Sequence, residues 1–394
     1  MTLPRTTPTT PHPAPAAIAA HPLLALQRLG QSPWLDHIRR DLLTSGALDR
    51  MIAAGEITGL TSNPTIFEQA IAKSDVYDEA LAELAARGLE APAIFEALAI
   101  DDVRAAADAF LPVYRRTGGD DGYVSLEVAP DLAHDAVGTL DAARRLWRAV
   151  DRPNLMVKIP ATAAGLTAVE AAIAEGMNVN VTLIFSIERH RQVMDAYLAG
   201  LRRRAAAGGA LAHVASVASF FVSRVDVAVD ALLDERLASG WHHSAALRAL
   251  RGRAAIANAT LAYEAFQRTF GHEDFKELAA RGARPQRPLW ASTSVKDPRY
   301  PDGYYVEALI GADTVDTMPP ATLAAYREHG DPLPRLGRDV DGERAVIDGL
   351  QTAGIDLDAV LVRLEAAGVA SFAASYASLL DVVAQRAAGV AGRP

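Results

Sequence analysis

The chain has 394 residues, half of them hydrophobic, with a formal charge of −9 at neutral pH and no cysteine. The acidic balance and the lack of a basic stripe argue against a nucleic-acid partner, because a phosphate backbone needs clustered lysine and arginine. The missing cysteine removes disulfides, cysteine nucleophiles and thiolate metal sites. Residues 1–22, rich in Pro, Thr and Ala, read as a disordered tail; no basic region leads into a long apolar run, so a signal peptide fits poorly. Residues 23–394 are expected to form one domain, since barrels with insertions reach this length. No stretch reads as long and apolar enough to cross a bilayer, so no membrane partner is expected and the default address is cytoplasmic.

In chain order, eight short apolar runs alternate with Ala/Leu-rich stretches of helical spacing. The runs are SPWLD (32–36), ITGLTSN (57–63), YVSLEV (123–128), NLMVKIP (154–160), NVNVTLIF (178–185), HVASVASFF (213–221), PLWASTS (288–294) and ADTVDTM (312–318). Near-continuous apolar strands suit a parallel sheet buried on both faces. The pattern predicts a (β/α)8 TIM barrel with extra helices; an open doubly wound sheet also fits the alternation, although no GxGxxG loop follows the first strands. Residues 64–121 are long for one crossover and predict two or three helices. Over 131–150, Leu132, Ala136, Leu140, Ala143, Trp147 and Val150 form one stripe. Thr162 and Ser186 are placed to cap helix starts, and Gly176 to close a helix. Beyond the eighth run, 319–394 reads as helical with a loop at 330–342, and the last helix, about 367–390, is expected to lie over the barrel. Trp34, Trp147 and Trp290 read as core.

Barrel enzymes carry their chemistry at the C-terminal ends of the strands. Polar residues gather there in this chain: Asp36, Thr61, Ser62, Asn63, Glu127, Lys158, Asn180, Thr182, Ser219, Ser292, Thr293 and Ser294. Several interrupt apolar runs, where an unpartnered polar group is costly. Lys158 stands between Val157 and Ile159. Burial of an amine disfavours its charged form, and a neutral amine can attack a carbonyl; the alternative is a lysine reaching outward or pairing structurally with a carboxylate. Asp36 and Glu127 each end an apolar run and form a candidate acid/base pair, or else cap helices or pair with arginine. Asn180 and Thr182 share a face by period 2, while Asn63, within SNP, also suits a turn. Arg224 and Lys296 follow the sixth and seventh runs, where barrels commonly bind phosphate; surface charge is the alternative for Lys296. The histidines 134, 190 and 213 share no spacing and no HExxH or calcium loop appears, so no protein-bound metal is expected.

Seven segments in order resemble the transaldolase family: WLDHIRRDLL (34–43), GLTSNPTIF (59–67), VSLEVAPDLA (124–133), NLMVKIPAT (154–162), GMNVNVTLIFS (176–186), VASFFVSRVD (217–226) and LWASTSVKDP (289–298). The length and the ASTSVKDP segment look like the longer, actinobacterial-type branch. The resemblance implies a class I, Schiff-base transfer of a dihydroxyacetone unit between sugar phosphates, chemistry that needs neither a metal nor an organic cofactor. It assigns Lys158 as the imine-forming lysine, Asp36 as the acid/base at the C4 hydroxyl, and Glu127 as the carboxylate working through a water that Thr182 positions. It further implies substrate contacts at Asn63, Asn180 and Ser219, an aromatic lining at Phe221 and a phosphate ligand at Arg224. In one place the chain departs from the pattern: shorter relatives carry a second phosphate arginine where this chain has Ser294, leaving Lys296 to supply the charge. A monomer or a homodimer is compatible with the sequence. A plain aldolase on the same scaffold and a non-catalytic sugar-phosphate-binding barrel remain the alternative readings.

Overall fold

The computed structural model describes residues 21–239 and 244–391. Eight strands run parallel and close into one barrel in chain order. They are β1 (Gln31–Asp36), β2 (Gly59–Thr61), β3 (Val124–Glu127), β4 (Leu155–Pro160), β5 (Val179–Ile184), β6 (Ser216–Phe221), β7 (Arg287–Ala291) and β8 (Thr314–Met318). Each lies on the apolar run that predicted it, to within one residue at its start. The open-sheet alternative is excluded because β1 pairs with β8 from Gln31↔Thr314 through Leu35↔Met318. Closure leaves this sheet without an unpaired edge.

The barrel is a packed core. Trp34 of β1 occupies its lower half, and the neighbouring strand makes room with Gly59, where a Cβ would stand 2.4 Å from the indole. The indole Nε1 donates to the buried Asp121 carboxylate at 2.7 Å. Trp290 is also fully buried, edge-on to Phe220 at 6.1 Å; Trp147 is only half-buried.

Helix signals fared well locally. Thr162 accepts from Gly165 N at 2.9 Å and Ser186 from Arg189 N at 3.0 Å, so both cap as expected. Gly176 closes the helix Ala163–Glu175 at φ 90°. The long crossover holds three α-helices, Pro64–Ala72, Asp78–Ala86 and Ala91–Arg116.

The stripe expected over 131–150 needs correction. That helix begins at Ala136, with Asp135 as its cap, and buries Thr139, Ala142, Ala143, Leu146 and Val150. Leu140 and Trp147 sit at the half-buried margin, because the small residues face the close contacts with β4 and the next helix. A helix at Pro22–Arg28 was not expected and takes over the last residue of the expected tail; residues 1–20 lie outside the described residues.

The last helix runs from Leu357 to Ala391, ten residues longer at its start than expected, because Asp356 caps it by accepting from Ala359 N at 2.9 Å. It corrects a second expectation, since by length and composition alone it could cross a bilayer. Its many alanines raise the hydropathy without forming the uninterrupted run of large apolar residues sought in the sequence. In the fold it lies against the helices Pro64–Ala72, Asp78–Ala86 and Ala91–Arg116 and against β5.

Candidate active site

Strand register assembles the site. Glu127 pairs with Lys158 across β3 and β4, Lys158 with Asn180 across β4 and β5, and Asp36 with Thr61 across β1 and β2. Alternation points these side chains into the barrel at its C-terminal end, where a cavity of about 410 Å³ opens. Asp36, Asn63, Lys158, Thr182, Ser219, Phe221, Arg224, Ser294 and Lys296 all line it. Nine of the eleven sequence candidates thus share one cavity. The other two lie just beyond its wall.

Lys158 points inward with its side chain only 7% exposed; its amine is 3.4 Å from Glu127 Oε2 and donates to the Ser62 carbonyl at 3.2 Å. The outward-reaching alternative is excluded by that burial. Glu127, 6% exposed, lines a narrower void beside Phe95 and Tyr376. Asn180 is fully buried beneath Lys158; its amide nitrogen donates to Ser125 Oγ at 3.0 Å and its oxygen accepts from Ser219 Oγ at 2.6 Å. Asn63 serves two ends at once: its Oδ1 caps the helix Pro64–Ala72 at Ile66 N, 3.0 Å away, while the residue lines the cavity.

The two carboxyls are both held in their acid direction. Burial pushes Glu127 up to about 7 from 4.5, opposed by the nearby Lys158 charge and reinforced by Asp36. Burial also raises Asp36, against the Lys158 charge and a 2.6 Å hydrogen bond from Thr61 Oγ1. Desolvation disfavours the ionised form of each, and at Glu127 it brings proton exchange near neutral pH. Two atoms in the site are buried without a hydrogen-bond partner: Glu127 Oε2 and Thr182 Oγ1.

The family model described as transaldolase/fructose-6-phosphate aldolase matches residues 33–383. A protein of Thiobacillus denitrificans named "Transaldolase" is 52% identical over 90% of this chain and 97% of its own length. Proteins of the same name from Saccharopolyspora erythraea and Thermobifida fusca are 51% and 50% identical, over 92% and 93% of this chain and 97% and 98% of their own lengths. The chain belongs to the transaldolase/fructose-6-phosphate aldolase family. It is an enzyme of the transaldolase type, and most of its similar relatives are from actinobacteria, as the length and the ASTSVKDP segment implied.

Within this family fold, one side of the cavity is cationic. Arg224, in the first turn of the helix Ser223–Ala238, is half-buried, lies 5.3 Å from the Phe221 ring, and has no ion pair among the described residues. Burial lowers its pKa. Lys296 donates to Ser294 Oγ at 2.8 Å on the loop after β7. Ser292, at the end of the same strand, has φ 58° and meets Ser223 Oγ at 3.0 Å. Among the described residues no three His, Asp or Glu side chains are grouped to hold a metal ion.

The sequence pattern named Thr61 only among the polar strand ends, without a role, and passed over His37 and Phe372. Thr61 bridges Asp36 and Thr317, at 2.6 Å to each; its place at a strand end was the available signal. His37 lines the cavity, half-buried, with its pKa lowered chiefly by burial. Phe372 enters from the C-terminal helix with its ring centroid 5.7 Å from the Lys158 amine. Nothing in its local sequence distinguishes it from an ordinary core position.

Proposed function

We propose that this chain is a class I transaldolase that works through a Schiff base on Lys158. It moves a dihydroxyacetone unit from a ketose phosphate to an aldose phosphate: sedoheptulose 7-phosphate and glyceraldehyde 3-phosphate give erythrose 4-phosphate and fructose 6-phosphate. The observation that carries this reading is the buried Lys158 amine, inside the barrel mouth, 3.4 Å from one carboxylate and within the electrostatic reach of a second.

The unprotonated amine attacks the C2 ketone and forms the C2–N bond. Glu127 supplies the proton with which the C2 hydroxyl departs as water. Glu127 Oε2, whose one near neighbour is the Lys158 amine at 3.4 Å, and the unbonded Thr182 Oγ1 suit a relay water held between protein groups. Asp36 takes the proton from the C4 hydroxyl, C3–C4 breaks, and its electron pair passes into the iminium to give an enamine on Lys158. The aldose phosphate leaves. Attack of C3 on an incoming aldehyde reverses these steps, with Asp36 returning its proton to the new alkoxide. Arg224, at a helix start and without a carboxylate partner among the described residues, suits the substrate phosphate. Lys296 stands where it can add charge, without a guanidinium's paired donors. Asn63 and Ser219 are placed for substrate hydroxyls; Asn180 acts through its bond to Ser219. The chemistry fits a cytoplasmic enzyme of the pentose phosphate pathway.

Borohydride reduction with fructose 6-phosphate tests the assignment. Mass spectrometry is expected to place the three-carbon adduct on Lys158, to lose it in Lys158→Ala, and to find the whole six-carbon donor retained in Asp36→Asn. An adduct on another residue would sink the reading.

A further inference from the structure

The C-terminal helix Leu357–Ala391 is fixed across the barrel mouth by contacts along its length. Glu365 receives two bonds from the Arg189 guanidinium, each 3.1 Å. Ser375 accepts from Thr65 Oγ1 at 2.9 Å, and Arg386 donates to the carbonyls of Ile71 and Ser74 at 2.6 and 3.0 Å. Where the helix crosses β5, Gly368 leaves out a side chain: a Cβ there would stand 3.1 Å from Leu183 Cδ2 and 3.4 Å from Phe185 Cε2. Leu183 itself occupies the left-handed region at φ 61°, beside an irregularity in the β5–β6 register. A bulky residue holds such a conformation only where its surroundings enforce it. One turn beyond Gly368, Phe372 descends into the cavity, 6% exposed, its ring 5.7 Å from the Lys158 amine.

We propose that Phe372 is a specificity-determining residue that decides the fate of the three-carbon enamine. The inference rests on the Schiff-base reading above. Two reactions compete for that enamine. In transfer, C3 bonds to the acceptor's aldehyde carbon and Asp36 protonates the resulting alkoxide. In release, water protonates C3, a second water adds at C2, and the C2–N bond breaks to give dihydroxyacetone and the free amine. The Phe372 ring covers the Lys158 adduct from the side of the mouth and keeps bulk water from C3, while an aldehyde held by its phosphate can still reach it. Excluding water from a reactive intermediate is what a closed site accomplishes, and a ring at this distance also favours the cationic iminium over its hydrolysed products. A transferase and a plain aldolase on the same scaffold thus differ by the seal over one carbon.

The experiment measures partition in the full chain with fructose 6-phosphate as donor. Free dihydroxyacetone is quantified against product transferred to erythrose 4-phosphate, in the unmodified protein, Phe372→Leu and Phe372→Ala. The ratio is independent of the fraction of active enzyme, so a merely structural defect does not move it. Phe372→Ala is expected to raise release over transfer by about tenfold, and Phe372→Leu, which keeps most of the bulk, by less. Borohydride capture at Lys158 persists in all three. An unchanged ratio with capture intact overturns the role of Phe372. Absence of capture in the unmodified protein overturns the Schiff-base reading and this inference with it. Should Phe372→Ala not fold, Phe372→Leu and Phe372→Val decide the matter by the same ratio.

Discussion

Replacing Glu127 by glutamine removes one proton-carrying group and almost no volume. Burial has moved this carboxyl from 4.5 to about 7. A carboxyl at its ordinary value is protonated in about one molecule in three hundred at pH 7, and one at about 7 in about half. The fold therefore enlarges the acid form by about two orders of magnitude at working pH, which matters because dehydrating the carbinolamine requires an acid. A positioned acid/base typically contributes ~10²–10⁴-fold, or about 3–5 kcal/mol of barrier. Glu127→Gln is expected to slow imine formation by a factor in that range. The assay is the pH dependence of borohydride capture at Lys158 under single-turnover conditions. The unmodified protein is expected to show a titration near pH 7, and Glu127→Gln to lose it. If the glutamine variant keeps that titration and captures within about threefold of the normal rate, Glu127 is not the proton carrier, and its raised pKa is only a consequence of burial.

Arg224 and Asp316 carry expectations of their own. Arg224→Ala is expected to raise KM for a phosphorylated donor by at least about tenfold with kcat little changed, the mark of lost uniform binding; the exposed Lys296→Ala is expected to cost only about two- to threefold. An equal effect of Arg224→Ala on a donor without phosphate would remove the phosphate from the argument. Asp316, in β8, is buried with Thr293 Oγ1 as its hydrogen-bond donor at 2.8 Å, and burial pushes it up to about 7 from 3.8. Between about pH 4 and 7 the folded state then holds a proton there that the unfolded chain has lost, so this group erodes stability as pH rises through that window. Asp316→Asn is expected to flatten the decline in denaturation midpoint between about pH 4 and 7; parallel declines in the two proteins would refute the claim.

The barrel was legible because each strand is buried on both faces and so appears as a short apolar run whatever its neighbours. Caps were legible for a similar reason: Thr162 and Ser186 act on backbone three residues away, well within one sequence window. The helix face at 131–150 was misjudged because volume and burial part company there. Large residues mark the sequence stripe, whereas tight helix–strand contact favours Ala142 and Ala143. The Pro22–Arg28 helix was hidden by a proline- and alanine-rich approach, although Pro22 stands at its first turn, where proline costs no hydrogen bond. The apolar C-terminal helix misled in the opposite sense, since alanine contributes hydropathy without the bulk that catches the eye.

The candidate site divides along the same line. Glu127, Lys158 and Asn180 lie on neighbouring strands whose parallel register sets them side by side, so a polar residue at such a strand position was already a statement about place. Register also explains why Thr61 belongs to the site: it is the β2 partner of Asp36 and ties that carboxylate to β8 through Thr317. Phe372 obeys no such rule. It lies more than two hundred residues after Lys158, and its approach depends on Gly368, on the unusual backbone of Leu183 and on the Arg189–Glu365 bond acting together. Each of those features is ordinary when met alone in sequence. On the proposed mechanism, the groups that make and break bonds are thus written in local pattern, while the ring that covers them is written in tertiary contact. On that proposal, a change in the covering alone, with the lysine and both carboxyls kept, shifts this enzyme from transfer towards release.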